Sequence, residues 1–150
     1  MELKNKCFMK LRDNAIIPTR ATKYSAGYDF SIPADGNREF LISPGEVLKV
    51  KTGIAVILND NEYLAIHIRS SLGIKKHLML ANVTGVIDSD YYGNPDNRGE
   101  IIIALYNYGN TVQALKAGER VAQGIICTYG KVTDDSADEE RKGGIGSSGK

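Results

Sequence analysis

Short segments of alternating apolar and polar residues, separated by turn residues, constrain the fold of this chain more than any other feature. In residues 62–69 (EYLAIHIR) and 47–51 (VLKVK), apolar side chains recur at every second position, which is typical of strands buried on one face. Residues 101–105 (IIIAL) are continuously apolar, which predicts a strand buried on both faces. Because Gly, Pro, Asn and Asp recur between these runs, we predict an all-β fold, a jelly-roll-like β-sandwich or barrel. At most one short helix is expected, in residues 73–82.

The end of the chain differs in composition from the rest. Residues 134–140 (DDSADEE) are acidic, and residues 143–149 (GGIGSSG) are rich in glycine. We therefore predict a β-sandwich domain in residues 1–133, followed in 134–150 by an acidic spacer and a mobile glycine-rich arm. Residues 144–150 fit most of the G-x-x-x-x-G-K pattern of phosphate loops, but no strand pattern precedes them. Glycine N–H groups can still wrap an anion, and the alternative is a disordered end.

Charge and cysteine content argue against several classes of function. The formal net charge of +1 gives no basic field for nucleic acid or membrane surfaces. Cys7 and Cys127 are far apart, and the sequence has no CxxC motif or histidine cluster for a metal. The first residues lack the apolar core of a signal peptide, and no apolar run approaches the roughly 20 residues of a membrane helix. We expect a cytoplasmic protein without stable nucleic-acid or membrane binding.

Two stretches carry residue types suited to phosphate chemistry. Residues 69–71 (RSS) follow a predicted strand, and a guanidinium with two hydroxyls can clamp an oxyanion; the alternative is a strand-end turn with a surface salt bridge. In residues 85–93 (GVIDSDYYG), Asp88 follows Val86 and Ile87, which we predict to be buried. A carboxylate held rigidly there could act as a general base. The alternative is a hairpin whose aspartates cap the turn.

Five short motifs occur in order along the chain: AGYD at residues 26–29, RSS at 69–71, GVIDSDY at 85–91, GERVAQ at 118–123 and GGIGSSG at 143–149. Together they resemble the motifs of the trimeric dUTPase family, and the resemblance covers nearly the whole chain. It implies a jelly-roll β-sandwich that assembles as a homotrimer with active sites shared between chains. In that family the glycine-rich arm is a lid that closes over the nucleotide bound in another part of the trimer.

The resemblance implies hydrolysis of dUTP to dUMP and pyrophosphate by attack of water on the α-phosphorus. This reaction limits uracil incorporation into DNA and supplies dUMP for dTMP synthesis. Asp88 would be the general base, and Gln123 would help to position the water or the phosphates. Mg²⁺ would be held by the substrate phosphates and water, without direct protein ligands. The phosphate-binding residues would be Arg69, Ser70, Ser71, Gln123, Arg141, Lys142, Gly146, Ser147 and Ser148.

The resemblance also implies a narrow slot for uracil and deoxyribose. The 82–88 segment, expected as a hairpin, would read uracil through its backbone groups, and Tyr91 would exclude a 2′-hydroxyl. Asp29 and Asp90 are expected to support the site or a subunit interface rather than to bind the metal. The residues implied for uracil and deoxyribose are Asn82, Gly85, Val86, Ile87, Asp88, Tyr91, Ile102 and Ile145.

The chain departs from the family pattern in the loop after the third motif and in the arm. Residues 93–98 make that loop longer than in the shortest members. Ile145 replaces the family's phenylalanine, and the family's arginine falls at Glu140, so Arg141 or Lys142 would take its role.

Two other functions remain compatible with the sequence. A dCTP deaminase-type enzyme shares the fold, but the intact GVIDSDY motif favours phosphate chemistry. A nucleotide-sensing regulatory protein would bind dUTP and contact a regulatory protein partner. The longer loop and the altered arm leave that role open.

Overall fold

The computed structural model describes residues 5–146, which form antiparallel β-structure with one short α-helix. The α-helix, α1, spans Ser70–Lys76, and a 3₁₀ helix spans Ser89–Tyr91. This content confirms the predicted all-β class. The strands are β1 Cys7–Lys10, β2 Tyr28–Ser31, β3 Glu39–Ile42, β4 Val47–Lys51, β5 Ile54–Ile57, β6 Glu62–Ile68, β7 Leu78–Leu80, β8 Gly85–Asp88, β9 Ile102–Asn107, β10 Gln113–Lys116 and β11 Arg120–Thr128.

Strand pairing produces two main sheets and two strand pairs. One sheet has the order β2-β11-β6-β8, and the other has the order β4-β9-β7. β1 pairs with β5, β3 pairs with β10, and all of these pairings are antiparallel. Both main sheets contribute to one apolar core, which is the jelly-roll arrangement that the sequence predicts.

Alternate residues of the strands supply the core. Leu64 and Ile66 of β6 are almost fully buried, as are Ile103 and Leu105 of β9. The other face of β9 is only half-buried in this chain, so the prediction of a strand buried on both faces is wrong. The reason is that only one face of the β4-β9-β7 sheet packs against the core.

The short helix begins before its predicted position, directly after β6. It ends because His77 adopts a left-handed conformation (φ 54°, ψ 40°) and donates its N–H to the Leu72 carbonyl. Leu78 and Leu80 are buried and pair with β9, so the second half of the predicted helix is strand. The end of the helix depends on the pairing of Leu78 and Leu80 with β9, and local helix propensity carries no information about such a long-range contact.

The predicted 82–88 hairpin is wrong, and the difference opens a slot. β7 pairs with β9 in one sheet, whereas β8 pairs with β6 in the other. Residues 81–84 cross between the sheets through a turn in which the Val83 N–H donates to the Leu80 carbonyl at 2.9 Å. Val86, which the sequence predicts to be buried, is 58% exposed at the edge of the slot.

The segment after β11 is exposed over residues 129–140 and becomes buried again at Gly143 and Gly144. The domain division at residue 133 stays a prediction. Within residues 5–146, no helix is long and apolar enough for a membrane span. The cytoplasmic location also stays a prediction.

Candidate active site

A cavity of about 220 Å³ lies in the slot between β7 and β8. All eight residues predicted to bind uracil and deoxyribose line it, so the structure brings together residues from 82–91, 102 and 145. Arg141 and Gly146, from the predicted phosphate-binding set, lie at the same cavity. The other lining residues are Ile66, Leu80, Ile103, Ala104 and Gly144.

The backbone of β8 forms one wall of this cavity. β8 is the edge strand of its sheet, so its outer N–H and C=O groups face no partner among the described strands. A Cβ at Gly85 would lie 3.0 Å from the Ile66 Cβ, so glycine is needed there for close packing. The result is a narrow wall of free backbone groups, which suits a planar ligand with hydrogen-bonding edges.

Tyr91 forms a rigid wall of the cavity. The residue is 6% exposed, and its hydroxyl donates to the Glu100 carbonyl at 2.7 Å. The same hydroxyl accepts a hydrogen bond from Asn97 Nδ2 at 2.8 Å. Burial raises the pKa of Tyr91, so the hydroxyl stays a neutral donor. These two hydrogen bonds therefore fix the position of the Tyr91 ring, which is predicted to face deoxyribose.

Arg141 connects Asp88, the last residue of β8, with Asp90 in the 3₁₀ helix that follows it. Its Nε donates to Asp90 Oδ1 at 2.8 Å, and its Nη2 donates to Asp88 Oδ2 at 2.9 Å. The bond to Asp90 raises the pKa of Arg141, burial opposes this, and the charges of both carboxylates add to the rise. The Asp88 side chain is 59% exposed, whereas that of Arg141 is 11% exposed. The predicted general base is thus open to water beside a fixed cation.

The described part of the arm lies over the cavity of its own chain. Gly143 and Gly144 are buried, and the Gly144 N–H donates to Asp96 Oδ2 at 3.3 Å. Ile145 lines the cavity and is 70% exposed. The arm therefore reaches the predicted nucleoside slot with its double glycine against the loop that carries Asp96.

Arg141 and Lys142, the two candidates to replace the family's arginine, lie in different surroundings. Arg141 lines the cavity, whereas Lys142 is exposed and lies beside the acidic spacer. The predicted phosphate-binding residues Ser147 and Ser148 lie outside the described residues.

The other predicted phosphate-binding residues meet in a second cleft, of about 360 Å³. Arg69 follows β6, and the two serines after it begin α1, so the end of one strand places all three. Gln123 on β11 lies beside them because β11 pairs with β6. The lining consists of Ala21, Ser25, Gly27, Asp29, Arg69, Ser70, Ser71, Arg120 and Gln123.

The sequence assignments missed two groups of residues at these sites. Arg120 donates to Asp29 Oδ2 at 3.2 Å in the second cleft, and its place in the GERVAQ motif was the available signal. Asp96 and Asn97 contact the arm or Tyr91, and only the asparagine-rich loop composition pointed to them.

The predicted base and the predicted phosphate contacts are far apart within one chain. Asp88 pairs with Tyr63 of β6, and Gln123 pairs with His67 from the opposite side of β6, so their side chains share the outer face of the sheet. Strand geometry places their Cα atoms about 16 Å apart. Within one chain, the cavity that contains Asp88 and the cleft that contains Gln123 are therefore separate.

The fold and the two clefts define a jelly-roll protein built to hold a nucleotide. The dUTPase family model matches residues 13–149, and the chain belongs to this family. The resemblance seen in the five motifs is thereby confirmed.

Known relatives cover most of the chain. It is 38% identical over 135 residues to the deoxyuridine 5′-triphosphate nucleotidohydrolase of Lactococcus lactis, an alignment that covers 89% of this chain and 87% of the relative. The crystal structure of the dUTPase from Streptococcus mutans superposes with a TM-score of 0.75 at 36% identity, covering 84% of this chain and 98% of that one.

A more distant structure shares the fold. The dUTPase from phage phi11 of S. aureus, in a structure concerned with the coordination of a structural Mg(II) ion, superposes with a TM-score of 0.72 at 20% identity. That alignment covers 91% of this chain and 98% of the phage protein.

Proposed function

We propose that this protein hydrolyses dUTP to dUMP and pyrophosphate, and that it thereby limits uracil incorporation into DNA and supplies dUMP for dTMP synthesis. One observation carries the proposal: the eight residues predicted to bind the nucleoside line a single cavity with Asp88 among them. Membership of the dUTPase family supports the same reaction.

Base selection would depend on the free backbone edge of β8. A uracil edge can pair with its N–H and C=O groups, whereas cytosine would place donor against donor and leave buried groups unpaired. The close packing of Gly85 on Ile66 supports a narrow slot that has no room for the methyl group of thymine. The rigid Tyr91 ring supports exclusion of a ribose 2′-hydroxyl.

Asp88 would act as the general base because its exposed carboxylate can bond a water molecule. The bound triphosphate would compete for Arg141, whose guanidinium occupies one oxygen of Asp88 in this structure. Transfer of Arg141 from the carboxylate to phosphate oxygens would free Asp88 to accept a proton from the attacking water. The same transfer would place a cation where negative charge develops.

A homotrimer would complete the site. In one chain Asp88 and Gln123 are about 16 Å apart by strand geometry, too far to act on one phosphorus. A second copy would bring its cleft of Arg69, Ser70 and Gln123 to the Asp88 end of the first copy. The exposed Val86 beside Asp88 supports an interface at this position.

Mg²⁺ is the proposed cofactor, carried on the substrate phosphates. It prefers oxygen ligands and retains water, and the exposed carboxylate of Asp88 at the cavity, with that of Asp90 on the other side of Arg141, suits contact through that water. When bound, the ion would neutralise phosphate charge. A structural Mg(II) ion is described for the phage phi11 dUTPase, so a protein of this fold can bind magnesium.

Product analysis tests this function. The protein should convert dUTP with Mg²⁺ to equimolar dUMP and pyrophosphate, and dCTP should remain unchanged. Formation of dUTP and ammonia from dCTP would instead indicate the deaminase. Tight dUTP binding without turnover would indicate a sensor.

A further inference from the structure

Asp96 contacts the arm at Gly144, where the packing is close. Its carboxylate accepts the Gly144 N–H at 3.3 Å. A Cβ at residue 144 would lie 3.1 Å from Asp96 Oδ2 and 3.0 Å from Asn97 Nδ2. Gly144 does not have a positive φ, whereas Gly146 has φ 76° with open space around it. The close contact with the loop, rather than backbone conformation, therefore favours glycine at residue 144.

The loop that presents Asp96 is held by hydrogen bonds of the buried Asn94. Asn94 is 4% exposed, and its Nδ2 donates to the Tyr91 carbonyl and to Asn97 Oδ1, both at 2.8 Å. Its Oδ1 accepts the N–H groups of Asp96 at 3.0 Å and Asn97 at 3.1 Å. These bonds are local to the loop and involve no atom of the arm, so they position Asp96 from within the loop.

The same loop is connected to the proposed catalytic groups. Asn97 bonds the Tyr91 hydroxyl, and the Arg141 guanidinium lies 5.8 Å from the centre of the Tyr91 ring. Arg141 precedes Gly144 by only three residues and bonds Asp88. An anchor at Gly144 therefore limits where the Arg141 guanidinium can reach.

We propose that Asp96 is a positioning residue, which binds the arm at Gly144 and thereby holds Arg141 at the Asp88 end of the nucleotide site. The inference rests on the proposed dUTP hydrolysis, for which Asp96 acts through the arm and touches no reacting atom. The extra residues of the 93–98 loop thus serve as the docking point of the arm.

Steady-state kinetics give the first test. Asp96→Ala should lower kcat/KM for dUTP by roughly three- to ten-fold, because a charged but exposed acceptor is lost, and should leave dUMP affinity unchanged. Pro95→Ala controls for disturbance of the loop, and Asp35→Ala removes an exposed aspartate that pairs with Arg38 elsewhere. Full activity of Asp96→Ala, or an equal loss in Pro95→Ala, would overturn the proposal.

A second test asks whether Asp96 acts through the arm. In a chain that lacks residues 135–150, introducing Asp96→Ala should leave the residual dUTP turnover unchanged. A further loss in the truncated Asp96→Ala protein would show that Asp96 acts on the rest of the fold, and the proposal would be wrong.

Limited trypsin digestion without nucleotide tests the contact independently of turnover. Cleavage after Arg141 and Lys142, followed by mass spectrometry, should be several-fold faster in Asp96→Ala than in the wild type and both controls. Equal rates would contradict the proposal. If the wild type fails to hydrolyse dUTP but the digestion rates differ as expected, the arm contact stands and the proposed function falls.

Discussion

Gly27 and Gln123 pack so closely that a Cβ at residue 27 would lie 2.5 Å from Gln123 Oε1 and 3.0 Å from Gln123 Cβ. The first and fourth motifs thus meet in one cleft although they are distant in sequence. Because residue 27 has no side chain, the Gln123 side chain can pack directly against its backbone.

Gly27→Ala should therefore reduce turnover by displacing Gln123. We expect kcat for dUTP to fall roughly 10- to 100-fold, since small displacements of positioning groups are costly. The double variant with Gln123→Ala should be no slower than Gln123→Ala alone. Gly130→Ala is the matched control because a Cβ at residue 130 would meet no other atom within 4 Å. Independent, additive losses would show that Gly27 does not act through Gln123.

Asp88→Asn should abolish most turnover while it preserves nucleotide binding. The amide keeps the shape of the carboxylate but cannot accept a proton, and loss of a general base costs about 10²–10⁴-fold. Asp90→Asn is a useful comparison because Asp90 also bonds Arg141. Single-turnover hydrolysis of dUTP measures the effect, and near-wild-type rates in Asp88→Asn would refute the assignment.

Mixed trimers should recover activity from two inactive variants. Asp88→Asn and Gln123→Ala subunits, unfolded and refolded together in equal amounts, should form roughly a quarter of their sites from two intact partners. Sedimentation should show a trimer for each variant and for the mixture. If mixing restores nothing, or if a monomer is fully active, the shared site is wrong.

Ile145→Phe should increase the catalytic efficiency of the protein for dUTP. Ile145 lies at the cavity yet is 70% exposed, so a larger ring can be accommodated there. Base–aromatic stacking is worth roughly 1–3 kcal/mol, of which aliphatic contact recovers only part. We expect kcat/KM for dUTP to rise several-fold, within about one decade. Unchanged dUMP affinity is the control, and a fall in efficiency would show that the arm closes differently from its relatives.

Glu100 should make stability depend on pH. Burial favours the neutral acid, but the bond from Arg12 and the Gly53 N–H at 2.9 Å hold the pKa of Glu100 below 4.5. A lowered native pKa stabilises the fold above the unfolded value, and this contribution disappears as pH falls through the native pKa.

Glu100→Gln should thus lower the free energy of unfolding by about 1–3 kcal/mol at pH 7. The difference from the wild type should shrink as pH falls below 4.5. Urea denaturation at neutral and acidic pH measures both values. The same loss at every pH would mean that packing, rather than charge, is the contribution of Glu100.

Local sequence patterns predicted the strands with clear side-chain alternation, because alternation needs no knowledge of the partner strand. β4 and β6 lie where alternation predicts them. The helix and the 82–88 segment were misplaced because their structure depends on which distant strand they join. Leu78 and Leu80 became strand through pairing with β9, and β8 joined β6 instead of its neighbour β7.

The sequence by itself determined the all-β class, the family and the residue types of the site, because these depend on short motifs and local alternation. Only the tertiary structure decided that the nucleoside residues share one cavity and that Gln123 lies in another cleft. Only the tertiary structure also shows that Arg141, rather than Lys142, bonds Asp88, and that the Gly144 N–H bonds Asp96. The physical reason is that strand register and close packing arise between residues far apart in the chain, such as Tyr63 with Asp88 and His67 with Gln123.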